Sequence, residues 1–519
     1  MPPTSGPDVV LVNPGGRARI YQSLAHQLAA CEPPVWAGLM ASYVRGKGFG
    51  AAVLDADAEG LSPAETAARV ADMKPRLVAV VVYGHQPSAS TQTMPAAGEI
   101  CRAVKDAAPA LPVLMVGGHA ASLPERSLTE EAADYVCGGE GPVTIVELLR
   151  VLGAAGGSPD LAAVRDLWYR DEGKPRFTKA APLITALDQE MPGPAWDLLP
   201  MNRYRAHNWH CLDGSPREPY VALYTTLGCP YKCSFCCIQA PFKSGERELG
   251  LKAAVNSYRF WSPEGVVDQL AMLAEKHGVR NVKVADEMFV LNRRHVERIC
   301  DLIIERGLDL NCWAYARVDT VKDGMLEKLK KAGFHWLAFG IEAADSKVRD
   351  DVQKGYDQDD IFETIGKTRA AGIHVIGNYI FGLPEDDLAT MQQTLDLALE
   401  LNCEFGNFYC AMAYPGSPLY RTAVANGWRL PDTWAGYSQH SEDTLPLPTR
   451  HLSAGEVLRF RDEAFLTYYK APRYLEMVER TFGREAVGHI QDMTSRRLVR
   501  KHAAAAPPTP APRPAAAPV

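Results

Sequence analysis

The sequence predicts an α/β protein: an N-terminal doubly wound parallel sheet, then a partial (β/α)6 TIM barrel, then a small helical C-terminal region. Three observations carry that reading. Apolar runs of strand length alternate with helical stretches in two separate series, several runs of the first series end in small or polar residues, and the strand signal fades beyond Pro418. At a prior of ~150 residues per domain, 519 residues leave room for about three units.

In the first series, residues 1–152, the apolar runs are 9–12, 51–54, 77–83, 113–116 and 135–136. Runs apolar on both faces and separated by helices belong to a parallel sheet covered on both sides. They are followed by Asn13-Pro-Gly-Gly, Gly84-His-Gln-Pro, Gly117-Gly-His and Gly138-Gly-Glu-Gly, the strand ends at which such sheets bind ligands. Ser62-Pro-Ala-Glu65 is a capping box with proline in the first turn, which fixes one helix start. Residues 153–219 are broken by Gly, Pro and Asp and read as a linker with a hairpin around 167–169.

The second series, residues 220–420, places strands at 222–225, 282–285, 312–315, 336–339, 375–380 and 405–409. Six strands at helix-length spacing over ~200 residues suggest an incomplete barrel, because eight units need ~250. A second open sheet is the alternative. Residues 421–502 form the helical region, with Ser453-Ala-Gly-Glu456 capping one helix, and 503–519 are an Ala/Pro tail that cannot bury a core. Trp428, Trp434 and Tyr437 are candidates to close over the barrel mouth, or else packing residues.

Hydrophobic residues make up 47% and charged residues 23%, which excludes a disordered, collagenous or coiled-coil chain. The net charge of −7 argues against a dedicated nucleic-acid binder. The N-terminus lacks the basic and apolar regions of a signal peptide, and no 18 apolar residues run together, so a cytoplasmic protein without a membrane span is expected.

The 12 cysteines are too sparse for a disulfide scaffold, but four lie between positions 229 and 237. Thr225-Thr-Leu-Gly-Cys-Pro-Tyr-Lys-Cys-Ser-Phe-Cys-Cys237 follows the first strand of the second series. Its Cys229-x3-Cys233-x2-Cys236 can hold three irons of a cubane cluster from one loop and leave the fourth iron open. A structural zinc site is the rival; zinc normally takes four ligands, and only Cys237 or a distant His is available to complete the set. Cys237 reads most simply as a neighbouring buried thiol.

On these residues the chain resembles the radical S-adenosylmethionine (SAM) superfamily, whose signature is CxxxCxxC after the first strand of a partial TIM barrel. Phe235, just before the last cysteine, also fits the pattern. The resemblance implies a [4Fe–4S] cluster on Cys229, Cys233 and Cys236, whose open iron is chelated by the amino and carboxylate groups of SAM. An electron from the cluster then cleaves the sulfonium to a 5′-deoxyadenosyl radical. It implies acidic residues facing SAM's amino group or substrate at Asp286 and Glu287, the catalytic candidates. Cofactor contacts are implied at Arg317, at Glu342 in Gly340-Ile-Glu342, and at Gly377 and Gly382 in Gly377-Asn-Tyr-Ile-Phe-Gly-Leu-Pro-Glu385, which is similar to the family's adenine-binding segment. Tyr414-Pro-Gly-Ser-Pro-Leu-Tyr420 matches another recurring segment. Structural ion pairs and tight turns are the bland alternatives for these positions.

The first domain extends the likeness to the cobalamin-binding branch of the superfamily, through Pro33-Pro-Val-Trp36, the strand ending at Asp55, Val116-Gly-Gly-His119 and Gly138-Gly-Glu-Gly141. The domain is thus expected to be a cobalamin-binding-like Rossmann fold. Asn13, His85, Ser88, Ser90, Gly117, Gly118, Gly139, Glu140 and Gly141 stand where a corrin and its nucleotide tail would run. The Asp-x-His-x-x-Gly loop of many cobalamin proteins is missing; Asn13-Pro-Gly-Gly-Arg17 replaces it, so no histidine ligand comes from that position. A nicotinamide or flavin is the rival ligand, but no GxGxxG follows the first strand.

The resemblance implies cobalamin-dependent methylation of an unactivated carbon of a small-molecule substrate, with a flavodoxin or ferredoxin as reductant. The alternative is a radical dehydratase, epimerase, decarboxylase or cyclase without methyl transfer, acting on a sugar-like or natural-product substrate. A third reading, from another class, is a non-catalytic iron–sulfur or zinc binding protein.

Overall fold

The protein is described by a computed structural model covering residues 6–25, 28–154, 158–352 and 354–504. The first sheet has β1 (Val9–Asn13), β2 (Ala51–Asp55), β3 (Leu77–Val82), β4 (Val113–Gly117), β5 (Tyr135–Cys137), β6 (Leu167–Asp171) and β7 (Lys174–Phe177), in the order 2-1-3-4-5-6-7. The five expected strands are parallel, with Val10 beside Val78 and Val78 beside Val113. Their side chains are buried on both faces, β3 and β4 throughout, as runs without polar alternation require. Helix Pro63–Met73 begins at the expected box, Ser62 accepting from Glu65 N and Glu65 from Ser62 N.

The hairpin is not a free linker element. β6 pairs antiparallel with β5, Trp168 opposite Val136, and so continues the first sheet. The rest of the connection is structural as well: Trp209 lies against Trp313, Trp336 and Phe405, ring centroids 5.1–5.7 Å away, and fills the base of the second sheet.

The second sheet contains β8 (Tyr220–Leu223), then, after a small antiparallel pair of β9 (Thr226–Leu227) and β10 (Arg259–Phe260), β11 (Asn281–Val284), β12 (Asn311–Ala316), β13 (Phe334–Glu342), β14 (His374–Phe381) and β15 (Phe405–Cys410). Its six strands are parallel in the order 15-14-13-12-11-8, with each neighbour next along the chain. A doubly wound sheet reverses its strand order; this one does not, and β8 and β15 stay unpaired with each other. It is the partial barrel.

The unpaired side of β15 is covered by helices Ala454–Tyr469, Pro472–Phe482 and Arg484–Ser495. Tyr468, Tyr469 and Tyr474 donate their hydroxyls to the carbonyls of Cys403, Gly406 and Glu404, which satisfies backbone that no further strand reaches. Trp434 does not close over the barrel mouth: it packs edge-on to His119 at 4.3 Å and beneath Arg126, on the first domain. The expected tail begins no earlier than Ala504, whose N–H donates to Gly455 O at 3.0 Å; residues 505–519 lie outside the described residues. One apolar core runs from Val9, Leu11 and Trp36 to Tyr220, Leu223 and Phe339, so both sheets form one body.

Candidate active site

The cysteine loop starts at the carboxyl end of β8. Asp286, just past β11, fixes that start: its carboxylate accepts from the N–H and hydroxyl of both Thr225 and Thr226 at 2.6–3.1 Å. Fully buried, its carboxyl is pushed up to about 6 by desolvation, against those four hydrogen bonds. The far side of the loop is tied down by Asn256, donating to the carbonyls of Cys229 (2.9 Å) and Tyr231 (2.7 Å), and by Gln239, accepting from Cys229 N. Gln239 and Ser257 are in turn held on Glu246.

Cys229, Cys233 and Cys236 line one cavity of about 1260 Å³, counting its open mouth, together with Phe235, Glu287, Arg317, Glu342, Lys354 and Asn378. Cys237 faces a different, smaller cavity with Trp36, His119 and Tyr224. Among the described residues no three His, Cys, Asp or Glu already stand in metal-holding geometry. The donor chemistry nonetheless fits a cluster: three thiols share one cavity, and Arg317 Nη1 is 4.0 Å from Cys233 Sγ, a cation beside the anionic ligand. Burial pushes the Cys229 thiol up to about 12, so iron binding must displace its proton.

Arg317 is locked in place. It stacks over Tyr231 at 3.9 Å and donates from Nε and Nη2 to Asp319 at 2.9 and 3.0 Å, which outweighs burial and raises its pKa. Glu342 ends β13 in the left-handed region (φ 65°) and pairs with Lys354 at 2.8 Å. Glu287 differs from its neighbour Asp286. It lines both the cysteine cavity and the smaller one, its Oε2 is buried without a hydrogen-bond partner, and burial, helped by Asp286, pushes its carboxyl up to about 8.

The predicted glycines are not on this cavity. A Cβ at Gly377 would stand 2.6 Å from the Tyr379 hydroxyl, and one at Gly382 2.4 Å from Val457, so both make room for core side chains; Asn378 and Ile380 are the residues of that strand that line the cavity.

A second cavity, about 870 Å³, opens where the loops after β1 and β3 diverge, the point at which the strand order reverses. Asn13, Gly15, Arg17, Glu32, Trp36, Gly84, His85 and Gln86 line it. Asn13 donates to Asp55. Ser90 and Gly118 line the smaller cavity; Ser90 Oγ accepts from His119 N and donates to Val82 O. Ser88 lies on helix Pro87–Gln92 with its side chain outside the described residues. Gly117 (φ 153°) lies against the Val82 carbonyl, 2.0 Å from where a Cβ would be, so no other residue fits. Gly139, Glu140 and Gly141 are apart from all three cavities. Gly139 is packed on Asp166, Gly141 on Met40 and Val116, and Glu140 pairs with Arg259 at 2.8 Å with both side chains under 10% exposed.

Sequence reasoning missed Glu32, Lys283, Lys354, Gln239 and Asn256. Lys283, a lone charge inside the apolar run of β11, was the one visible signal; it reaches Glu32 at 2.9 Å.

Two family models match the chain: the B12 binding domain over residues 21–149 and the Radical SAM superfamily over residues 223–398. The chain thus carries a radical SAM domain, whose family uses a [4Fe–4S] cluster and SAM, behind a B12 binding domain. Among its relatives, an uncharacterized methyltransferase of Pyrococcus horikoshii is 28% identical over 85% of this chain and 89% of its own. An anaerobic magnesium-protoporphyrin IX monomethyl ester cyclase of Cereibacter sphaeroides is 27% identical over 87% and 68%. The fold matches the radical SAM methyltransferase TsrM of Kitasatospora setae, solved with cobalamin and a [4Fe–4S] cluster, with a TM-score of 0.64 at 18% identity over 90% of this chain and 89% of that one. Among the described residues no helix is long and apolar enough to cross a membrane.

Proposed function

We propose that the protein methylates an unactivated carbon of a small molecule, using its cobalamin and cluster sites together. The observation that carries this is the junction of the cavities: His85 and Gln86 line both the cavity of the first sheet and the cavity of the cysteines. A substrate held in the barrel mouth there reaches both sites without moving. When bound, the cluster and SAM supply one-electron hydrogen abstraction and cobalamin supplies a transferable methyl group.

The chain's own residues do the rest. Cys229, Cys233 and Cys236 bind the iron, and Arg317 offsets the charge that their thiolates bring. Glu342, steadied by Lys354, and the inward amide of Asn378 offer acceptors and donors for SAM. Glu287 holds a proton at its carboxyl below about pH 8, so at neutral pH it has a donor to offer to a ligand of the cysteine cavity. Phe235, Tyr315, Ile380 and Tyr409 wall the cavity with apolar surface that keeps water from the reacting carbon. A cytoplasmic setting and a flavodoxin or ferredoxin as electron donor complete the proposal.

Anaerobic incubation of the loaded protein with SAM and a low-potential reductant tests it. Both 5′-deoxyadenosine and S-adenosylhomocysteine are expected. 5′-Deoxyadenosine alone would contradict methyl transfer and support the second reading, radical ring formation or elimination, which the relation to the cyclase favours.

A further inference from the structure

We propose that His85, oriented by Glu32, coordinates the cobalt of the bound corrinoid through Nε2. This rests on the reading that cobalamin occupies the cavity of the first sheet, and it names the residue that replaces the missing loop histidine.

Three histidines reach the cavities around the first sheet. Nδ1 of His207 accepts from Ala30 N at 3.2 Å, so its proton is on Nε2, which then has no lone pair to give. His119 lines only the smaller cavity, edge-on to Trp434, and its Nδ1 faces the Thr91 hydroxyl, which fixes neither tautomer.

His85 is set differently. Its Nδ1 stands 3.1 Å from Glu32 Oε2, and an ionised carboxylate can only accept, so Nδ1 carries the proton and Nε2 the lone pair. Glu32 is the carboxylate of an ion pair, with Lys283 Nζ 2.9 Å from its other oxygen. Tyr220 donates to the same Glu32 oxygen as Lys283, so two barrel strands hold the carboxylate that holds the imidazole. His85 is 5% exposed, follows β3 at the point of strand reversal, and lines both large cavities. A carboxylate on one imidazole nitrogen with the other facing a ligand space is the usual support for a metal-binding histidine. In the step, Nε2 supplies its lone pair to cobalt and the water or nucleotide base there leaves; no electron or proton moves.

The test is electron paramagnetic resonance of the full-length protein loaded with cob(II)alamin. A nitrogen ligand splits each cobalt line into three. Growth on nitrogen-15 histidine is expected to change the three-line splitting to two, and His85→Ala, still binding corrinoid, is expected to abolish it. Three lines unchanged by the label would mean that the nucleotide base is the ligand, and no splitting would mean water or none; either overturns the proposal. The labelled parent protein decides whether a histidine is the ligand, and His119→Ala and His207→Ala, expected to keep the splitting, assign it to His85 even where His85→Ala misfolds; loss of the splitting in either would overturn the proposal. Glu32→Gln gives a second check: its amide can donate to Nδ1, move the proton to Nε2 and remove the splitting. A parent protein that retains no corrinoid at all would overturn the cobalamin reading, and this inference with it.

Discussion

Asp286 and Glu287 are adjacent carboxylates with opposite roles. Asp286 accepts four hydrogen bonds in a fully buried place, so Asp286→Ala strands two N–H groups and two hydroxyls; we expect a loss of about 3–5 kcal/mol in denaturant unfolding. Glu287 has no hydrogen-bond partner on its buried oxygen and lines the cysteine cavity and the smaller cavity beside it. Its folded pKa of about 8 lies above the unfolded value of 4.5, so the folded state binds the extra proton between those limits. Its contribution to stability is intact below about pH 4.5 and is lost as pH rises through 8. Glu287→Gln should therefore gain Tm relative to the parent between pH 5 and pH 8; an unchanged difference between the two pH values would refute the raised pKa. The sequence placed both residues at the end of one strand but could not distinguish them. What separates them is the pair of threonines 60 residues earlier, contacts that only folding creates.

At the scale of elements, the strands were legible because each is a continuous apolar run, and the capping boxes at Ser62 and Ser453 marked two helix starts. The cysteine loop was legible by spacing. Its fastening was not, since Gln239 and Asn256 are ordinary polar residues until Cys229 is folded against them. Asn256→Ala should lower iron per chain in reconstituted protein while costing about 1–3 kcal/mol, because it frees two loop carbonyls and the Lys243 amine. Full iron content would show that the cysteines hold their geometry unaided. Gly377 was legible only as a glycine at a strand end; folding adds that its missing side chain makes room for Tyr379, so Gly377→Ala should cost about 1–3 kcal/mol by overpacking and leave SAM affinity, measured by calorimetry, as it was.

At the scale of the whole molecule, the two sheets are joined by buried charge as well as apolar packing. Glu32 meets Lys283 and Tyr220, and Glu140 meets Arg259, whose Nη1 also donates to Ile184 O. Arg259→Ala leaves Glu140 buried and unpaired, and should cost about 3–5 kcal/mol, with Glu140→Gln/Arg259→Met recovering part of it in the same unfolding assay. These junctions bring the mouths of the two large cavities together at His85 and Gln86. Neither domain's sequence shows that meeting, because it is made of residues 100 to 250 positions apart.

The central claim is that one chain holds both a cluster and a corrinoid at that junction. Iron and corrinoid quantitation of protein purified without oxygen and reconstituted with iron, sulfide and cobalamin tests it most directly. About four irons and about one corrinoid per chain are expected, with the iron alone lost in Cys233→Ala. Four irons with no retained corrinoid would contradict it and reduce the first sheet to a scaffold.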